Sequence, residues 1–232
     1  MKAIIGISGL ARDGKDSVCK ILQKFFEKEI DCFFHRVSLA DPLKQECISA
    51  CLEIFDIDPT QCSPEEKEKI RDYLVFYGKV MRNKTQGTHW TSEAEKTIRQ
   101  IEKKNKNNIF CIPDIRYAEF EKDEVQWLKE QKNSFLIHII KYDLVIDPIS
   151  GTTTKIYSTP VNNQEKVNTP IVEKSADFVI EWQDCSPEKP EDNQNSVDAV
   201  NFVAQKILDT LIETKSLTTN KKLKKTEENQ SV

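Results

Sequence analysis

The sequence predicts an α/β fold in which helices cover a parallel sheet, and three observations carry that prediction. Short apolar, β-rich runs alternate with stretches of helical periodicity along the chain, as strands joined by crossover helices do. At 232 residues the chain is long enough for one well-filled α/β domain. An apolar fraction of 38% leaves a generous polar surface around that domain.

The elements follow in order. Ala3–Ser8 is the first strand, and helical periodicity runs through Ser17–Lys28. Cys32–Leu39 is expected as a strand and Pro42–Phe55 as a helix. After the connection Asp56–Ser63, Ser63 suits a helix cap, Pro64 the first helical position and Glu66 the partner that completes a capping box. That helix reaches about Arg82. A second such pair, Ser92 and Glu95, is expected to open a charged helix ending near Lys104. Asn107 and Asn108 turn into the strand Ile109–Pro113, followed by a helix over Glu119–Lys132 and the strand Ser134–Lys141. From Asp143 to Pro170 the chain is polar, with Gly151 and three consecutive threonines, which predicts a long functional or disordered loop. The strand Ala176–Trp182 and a helix from Val197 to Ile212 close the domain, with Val200, Val203, Ile207 and Leu211 on one face. The tail 214–232 cannot bury a core and is expected to be disordered.

Charge and cysteine usage narrow the function classes. A net charge of −4 argues against bulk attraction to nucleic acid or to an anionic membrane, since both need a basic face. No stretch approaches the roughly 18 consecutive apolar residues of a membrane span. The opening residues lack the apolar core and cleavage site of a secretory leader, so a cytoplasmic setting is expected. Seven scattered cysteines, none spaced C-x-x-C, fit thiols in a reducing compartment. Cys47 and Cys51 sit four apart on a helix, but no His or Cys partner stands nearby to complete a metal site.

The strongest chemical signal is Gly9-Leu-Ala-Arg-Asp-Gly14-Lys15, a G-x-x-x-x-G-K between a strand and a helix. Glycines let successive backbone N–H groups converge on phosphate oxygens, and the helix N-terminus adds a favourable dipole. Lys15 is placed to reach the β- and γ-phosphates of a nucleotide. The spacing predicts a three-layer P-loop NTPase fold, with Gly9, Arg12, Asp13, Gly14, Lys15, Asp16 and Ser17 around bound ATP. Where the general motif has Ser or Thr after the lysine, this chain has Asp16 and then Ser17. Both are candidates to hold Mg²⁺, and Asp16 also suits the first turn of a helix for its charge alone.

Gly-Lys-Asp-Ser resembles the Gly-Lys-Asp-Thr variant of the deoxynucleoside monophosphate kinases of phages and their bacterial relatives. Three further blocks are similar to that family, in order: Ser38-Leu-Ala-Asp-Pro-Leu-Lys44; Arg71-Asp-Tyr-Leu-Val-Phe-Tyr-Gly78 with Arg82 and Trp90 behind it; and Asp114-Ile-Arg116-Tyr117. The resemblance implies a kinase domain over residues 1–213, with an acceptor-binding helical region at about 41–105 and a flap at about 143–170. It makes Lys44, Arg71 and Arg82 candidates for the acceptor's phosphate, and Asp41 and Trp90 for its sugar or base. Read from the residues, Arg71 and Arg82 lie three turns apart and can share a face, and guanidinium groups suit phosphate. Asp114 ends an apolar strand, where an acid orients Mg²⁺ through water, with Arg116 at the same edge. The catalytic set is therefore Lys15, Arg82, Arg116 and Asp114, and the metal set Asp16, Ser17 and Asp114.

The resemblance fades after residue 141. Arg116 is the last arginine of the chain, so charge on the flap falls to Lys155, Lys166 or Lys174. Glu173 and Asp177 are the nearest counterparts of the family's acids near that end. The expected reaction moves the γ-phosphoryl of ATP onto a deoxynucleoside monophosphate with Mg²⁺. Transfer between phosphates needs little beyond alignment and charge stabilisation, and the three histidines (His35, His89, His138) stand in separate segments, with His89 beside Trp90 near the acceptor side. Two alternatives stay open: a kinase of the same fold for another phosphorylated small molecule, such as phosphomevalonate or dephospho-coenzyme A, and a nucleotide-binding regulator without turnover. A homodimer is compatible with the sequence and is not decided by it.

Overall fold

The computed structural model describes residues 2–183 and 193–214; from residue 215 the expected disordered tail lies outside the described residues, as does Cys185. The backbone begins with β1 (Lys2–Ser8), α1 (Lys15–Glu29), β2 (Phe33–Arg36), α2 (Ala40–Phe55), α3 (Pro64–Thr85) and α4 (Thr88–Glu102). It continues through β3 (Asn108–Ile112), α5 (Glu124–Glu130), β4 (Ser134–Ile146), β5 (Thr153–Tyr157), α6 (Asn163–Lys174), β6 (Phe178–Trp182) and α7 (Gln194–Glu213). Five strands run parallel in the order β2–β3–β1–β4–β6. The sheet is therefore α/β and mostly parallel, as expected.

The central strand explains its own composition. Residues 3–8 of β1 are all buried, because parallel neighbours flank it and helices cover both faces. Ala3, Ile5 and Ile7 point to one side, into a core shared with Val18, Leu22 and Phe26 of α1 and with Val200, Ala204, Ile207 and Leu211 of α7. Ile4 points to the other, with Phe110, Leu136, Leu128 and the α4 residues Trp90, Ala94 and Ile98. Each fully buried side chain of this size contributes about 1.5–3 kcal/mol. The result is three layers, with α1 and α7 below the sheet and the α4–α5 side above it. Gly6 lets Leu128 close on β1: a Cβ there would stand 2.4 Å from Leu128 Cδ2.

β1 and β3 are neighbours, yet the chain leaves β1 toward α1 on one face and leaves β3 toward α5 on the other. Their carboxyl ends thus open a crevice where the connections diverge, the usual place for a ligand in an open parallel sheet.

Several boundaries match the sequence reading and several do not. Ser63 caps α3 through Glu66 N at 3.2 Å, Glu66 returns the bond at 2.8 Å, and Pro64 sits in the first turn. By contrast, α4 opens at Thr88, after Gln86 (φ 52°) and Gly87 (φ 90°) turn the chain through left-handed backbone. Ser92 is an exposed residue inside the helix, because the buried stripe begins at Trp90, before the capping pattern. α5 is shorter than expected: the Asp123 carboxylate accepts from the amides of Glu119 and Phe120 and caps Glu124, which keeps Glu119–Asp123 out of the helix.

The largest correction is the flap. Residues 143–170 are mostly regular structure: β4 runs on to Ile146 and pairs antiparallel with β5, and α6 follows. Asp147 Oδ1 closes the hairpin turn by accepting from the amides of Ile149 and Ser150, each at 2.8 Å. Asn162 caps α6 through the Glu165 amide at 2.9 Å. The six described cysteines are free thiols, with Cys47 and Cys51 packed in a small apolar core between α2 and α3. Among the described residues no helix is long and apolar enough to cross a membrane.

Candidate functional site

The loop from Gly9 to Gly14 occupies the mouth of the crevice. Gly9 (φ 147°) and Gly14 (φ 82°) both adopt backbone that side chains disfavour. Space excludes a side chain as well: a Cβ on Gly9 would meet Ile139 Cγ1 at 2.7 Å, and one on Gly14 would meet Trp182 Cζ2 at 2.6 Å. Arg12 is also left-handed (φ 69°), and its guanidinium is exposed, 3.6 Å from Glu68. Inside the loop Asp13 Oδ2 accepts from the Leu10 amide at 3.0 Å. Burial pushes the Asp13 carboxyl up, while Ser158, the Leu10 amide and Lys15 oppose the rise.

No side chain caps α1, so the first amides of that helix, at Lys15, Asp16 and Ser17, have no partner within it and aim at the crevice. Lys15 is 9% exposed. Its Nζ donates to the carbonyls of Gly9 (2.9 Å) and Leu10. Burial, reinforced by Arg116, pulls the ammonium down to about 8, against Asp13, Glu165 and Asp114.

At the end of β3, Asp114 accepts from Ser38 Oγ at 2.6 Å and from the amides of Leu39 (2.9 Å) and Ala40 (2.8 Å). It therefore ties the end of β3 to the start of α2. Arg116 donates to Glu165 Oε1 at 3.0 Å, and the amides of Arg116 and Tyr117 donate to Glu124 Oε2 at 2.6 and 3.1 Å. Burial pushes the Glu124 carboxyl up to about 8. Asp16 is 72% exposed and accepts from Arg36 at 3.1 Å.

The metal candidates offer oxygen donors only, which suits magnesium. Among the described residues no group of three or more His, Cys, Asp or Glu side chains is placed to cage an ion. Magnesium needs no such cage where phosphates and water complete its shell. Asp16 and Ser17 fit that need from the first turn of α1. Asp114, with three donors on two oxygens, fits a contact through water.

The crevice deepens into a cavity of about 270 Å³ that runs from Lys15 and Asp16 to Trp90. Its far wall presents Lys44 from α2 and Lys67 and Arg71 from α3; Arg36, Arg82 and Arg116 also line it, against the acids Asp16, Asp114 and Glu124. Leu43, Leu74, Gly78, Trp90 and Tyr117 supply an apolar slot. The cavity is strongly cationic although the chain as a whole is acidic.

The structure thus brings together Lys15, Asp16, Lys44, Arg71, Arg82, Trp90, Asp114 and Arg116, but they are not equally available. Arg71 stands at the rim, paired with Glu68 at 2.8 Å. Arg82 is 2% exposed, held by Asp123 (2.7 Å) and Glu119 (3.2 Å), with its Cζ 3.5 Å from the centre of the Tyr117 ring. Its charge is largely spent on the floor of the cavity. Asp41 does not line the cavity; it pairs with Arg36 at 3.5 Å and Lys44 at 3.9 Å. His89 stands outside it too, bonded to Glu46 at 2.8 Å. Of the flap residues, Lys155 pairs with Glu181, and Asp177 anchors β4 by accepting from the Leu136 amide and Lys129. Glu173 lies 4.0 Å from His138. Burial, with Lys15 nearby, draws the His138 imidazole down to about 4; its Nδ1 is 2.8 Å from Ser8 Oγ.

Lys67, Tyr117, Glu124 and Glu165 were not singled out for the site by sequence reasoning. Lys67 carries a legible signal, since it sits four residues before Arg71 and shares its helical face. Glu165 carries another: Asn162-Asn-Gln-Glu165 has the spacing of a helix start. No protein-family model matches the chain, and no curated protein matches its sequence.

Proposed function

We propose that the chain is a P-loop kinase that transfers the γ-phosphoryl of ATP to a small phosphorylated acceptor, a deoxynucleoside monophosphate. One observation carries the reading: two groups of anion-binding donors face each other across a single cavity. On one side stand the uncapped start of α1 and Lys15; on the other stand Lys44, Lys67 and Arg71. A triphosphate in the loop and a monophosphate at the wall would meet between them.

In this mechanism Lys15 leaves the carbonyls of Gly9 and Leu10 for the β- and γ-phosphate oxygens. Lys44, Lys67 and Arg71 seat the acceptor's phosphate, and the slot around Trp90 and Tyr117 takes its base. An acceptor oxygen attacks the γ-phosphorus in line while the bond to the bridging oxygen of ADP breaks. The attacking phosphate is already largely ionised near neutral pH, so no general base is required, and alignment with charge stabilisation accelerates the step. Magnesium, held by Asp16 and Ser17 and through water by Asp114, would neutralise charge on the β- and γ-oxygens.

The test is coupled ADP release with each deoxynucleoside monophosphate, and with phosphomevalonate and dephospho-coenzyme A as competing acceptors. At least one deoxynucleotide is expected to stimulate release, and the other acceptors none. Lys15→Ala is expected to lower turnover at least about 100-fold, as loss of a transition-state charge contact does, while the chain still folds. ATP binding without stimulation by any acceptor would assign the chain to the regulators instead.

A further inference from the structure

One carboxylate stands where an anionic ligand is expected. Glu165, in the first turn of α6, is 7% exposed. Its Oε1 accepts from the Ala11 amide at 3.2 Å and from Arg116 Nη1 at 3.0 Å, and its Oε2 accepts from the Val161 amide at 3.3 Å. Ala11 lies in the glycine loop 154 residues away. Glu165 therefore fastens the flap helix to the loop and consumes a loop amide and the Arg116 guanidinium together.

Those two donors are of the kind a phosphate oxygen seeks. Two anions cannot share them, because like charges a few ångströms apart repel strongly in a site screened from water. The rest of that helix is held farther along, by Asn168, which donates to Glu119 Oε1 at 2.8 Å, and by Val172 in the core above the sheet, so its first turn depends on Glu165. Among its residues only Glu165, Asn168 and Val172 are buried, Val167 and Ile171 are exposed, and Pro170 interrupts its hydrogen bonds. A void of about 40 Å³ lined by Ser8, Gly9, Arg116, His138 and Glu165 lies beside the carboxylate, so the ion pair is not packed against solid protein.

We infer that Glu165 is an internal competitor for the anion site, a carboxylate that latches α6 over the loop and must withdraw when a polyphosphate binds. The inference rests on reading the loop as a phosphate site and adds to it a gate: ligand affinity includes the work of displacing Glu165, and α6 is released from the loop as the site fills.

Inorganic tripolyphosphate separates this gate from the reading beneath it, since it carries the anion without base or sugar. Calorimetric titration should show the wild-type chain binding and Glu165→Gln binding about tenfold tighter, because the amide keeps the shape and removes the competing charge. Equal or weaker affinity in E165Q, with both proteins binding, overturns the gate and leaves the phosphate site standing. Absence of binding in both proteins overturns the phosphate site and the gate with it. Should E165Q unfold, hydrogen exchange on the wild-type chain decides. The Val161 amide is expected to exchange faster with tripolyphosphate saturating, and unchanged or slower exchange there overturns the gate.

Discussion

The two walls of the cavity are built on opposite principles. The loop side is dry and conformationally locked: Lys15 and Asp13 are 9% and 1% exposed, two glycines hold left-handed backbone against Ile139 and Trp182, and both Lys15 and Asp13 bond to the loop's own backbone. The α2–α3 side is wet and adjustable: the Lys44 and Arg71 side chains are 25% and 33% exposed. Among the described residues no carboxylate lies within 4 Å of Lys67, and its ammonium is lowered by burial and by Lys44 and Arg71 beside it. The difference teaches where precision resides. Under the proposed transfer, a group that must meet a reacting phosphorus gains from pre-organisation, whereas a wall that only captures an acceptor can use long side chains that settle on arrival.

Arg82 is the exception on the wet side, and it offers the largest test. Arg82→Met leaves Asp123, which is fully buried, without its strongest partner. Breaking one half of a buried pair costs about 3–5 kcal/mol, so the urea midpoint should fall sharply at constant slope. A midpoint unchanged in R82M would erase the distinction between floor and rim. Gly14→Ala probes the locked side next. Left-handed strain costs on the order of 1–3 kcal/mol, and overpacking against Trp182 adds to it. Loss of stability is therefore expected even before ATP is added, and thermal unfolding measures it.

Removing rim cations should do the reverse. Lys44→Ala and Arg71→Ala are expected to raise the acceptor KM about tenfold each, the loss of about 1.4 kcal/mol of binding, while thermal stability stays within about 0.5 kcal/mol of the parent. Steady-state kinetics with ATP saturating would show it, and an unchanged KM would remove these residues from the acceptor site.

A further test sharpens the picture of Lys15. Burial lowers its ammonium from 10.5 to about 8, so between these values the folded chain binds fewer protons than the unfolded chain. The contribution of this group to stability therefore rises with pH through that window. The proposed transfer needs the charged form, so its kcat/KM, which reports the free protein, should fall above pH 8. Comparing the melting temperatures of the parent and Lys15→Met at pH 7.5 and 10 isolates the stability slope, which is expected in the parent and absent in K15M.

Much of the fold was legible because its signals are short. The buried run of β1, the capping box at Ser63 and Glu66, the spacing Val200, Val203, Ile207 and Leu211 on α7, and the loop from Gly9 to Lys15 each lie within about a dozen residues. The flap was misread for want of such a signal. Its hairpin is exposed on both faces, so Leu144, Ile146 and Ile156 stand in solvent without the apolar alternation that marks a half-buried strand. Its helix is announced only by Asn162 and Glu165.

The sequence by itself determined the α/β alternation, the glycine loop and the residue types that gather around it, because backbone propensity, capping and periodicity act between near neighbours. Only the tertiary structure decided which of those charges are free. Arg71 and Arg82 belong to one helix, yet Arg71 is paired within its own turn by Glu68, while Arg82 is committed to Asp123, 41 residues away. Ala11 meets Glu165 across most of the chain in the same way. The physical reason is that a charge takes its value from whatever folding brings within a few ångströms of it, and that distance is not written in local spacing.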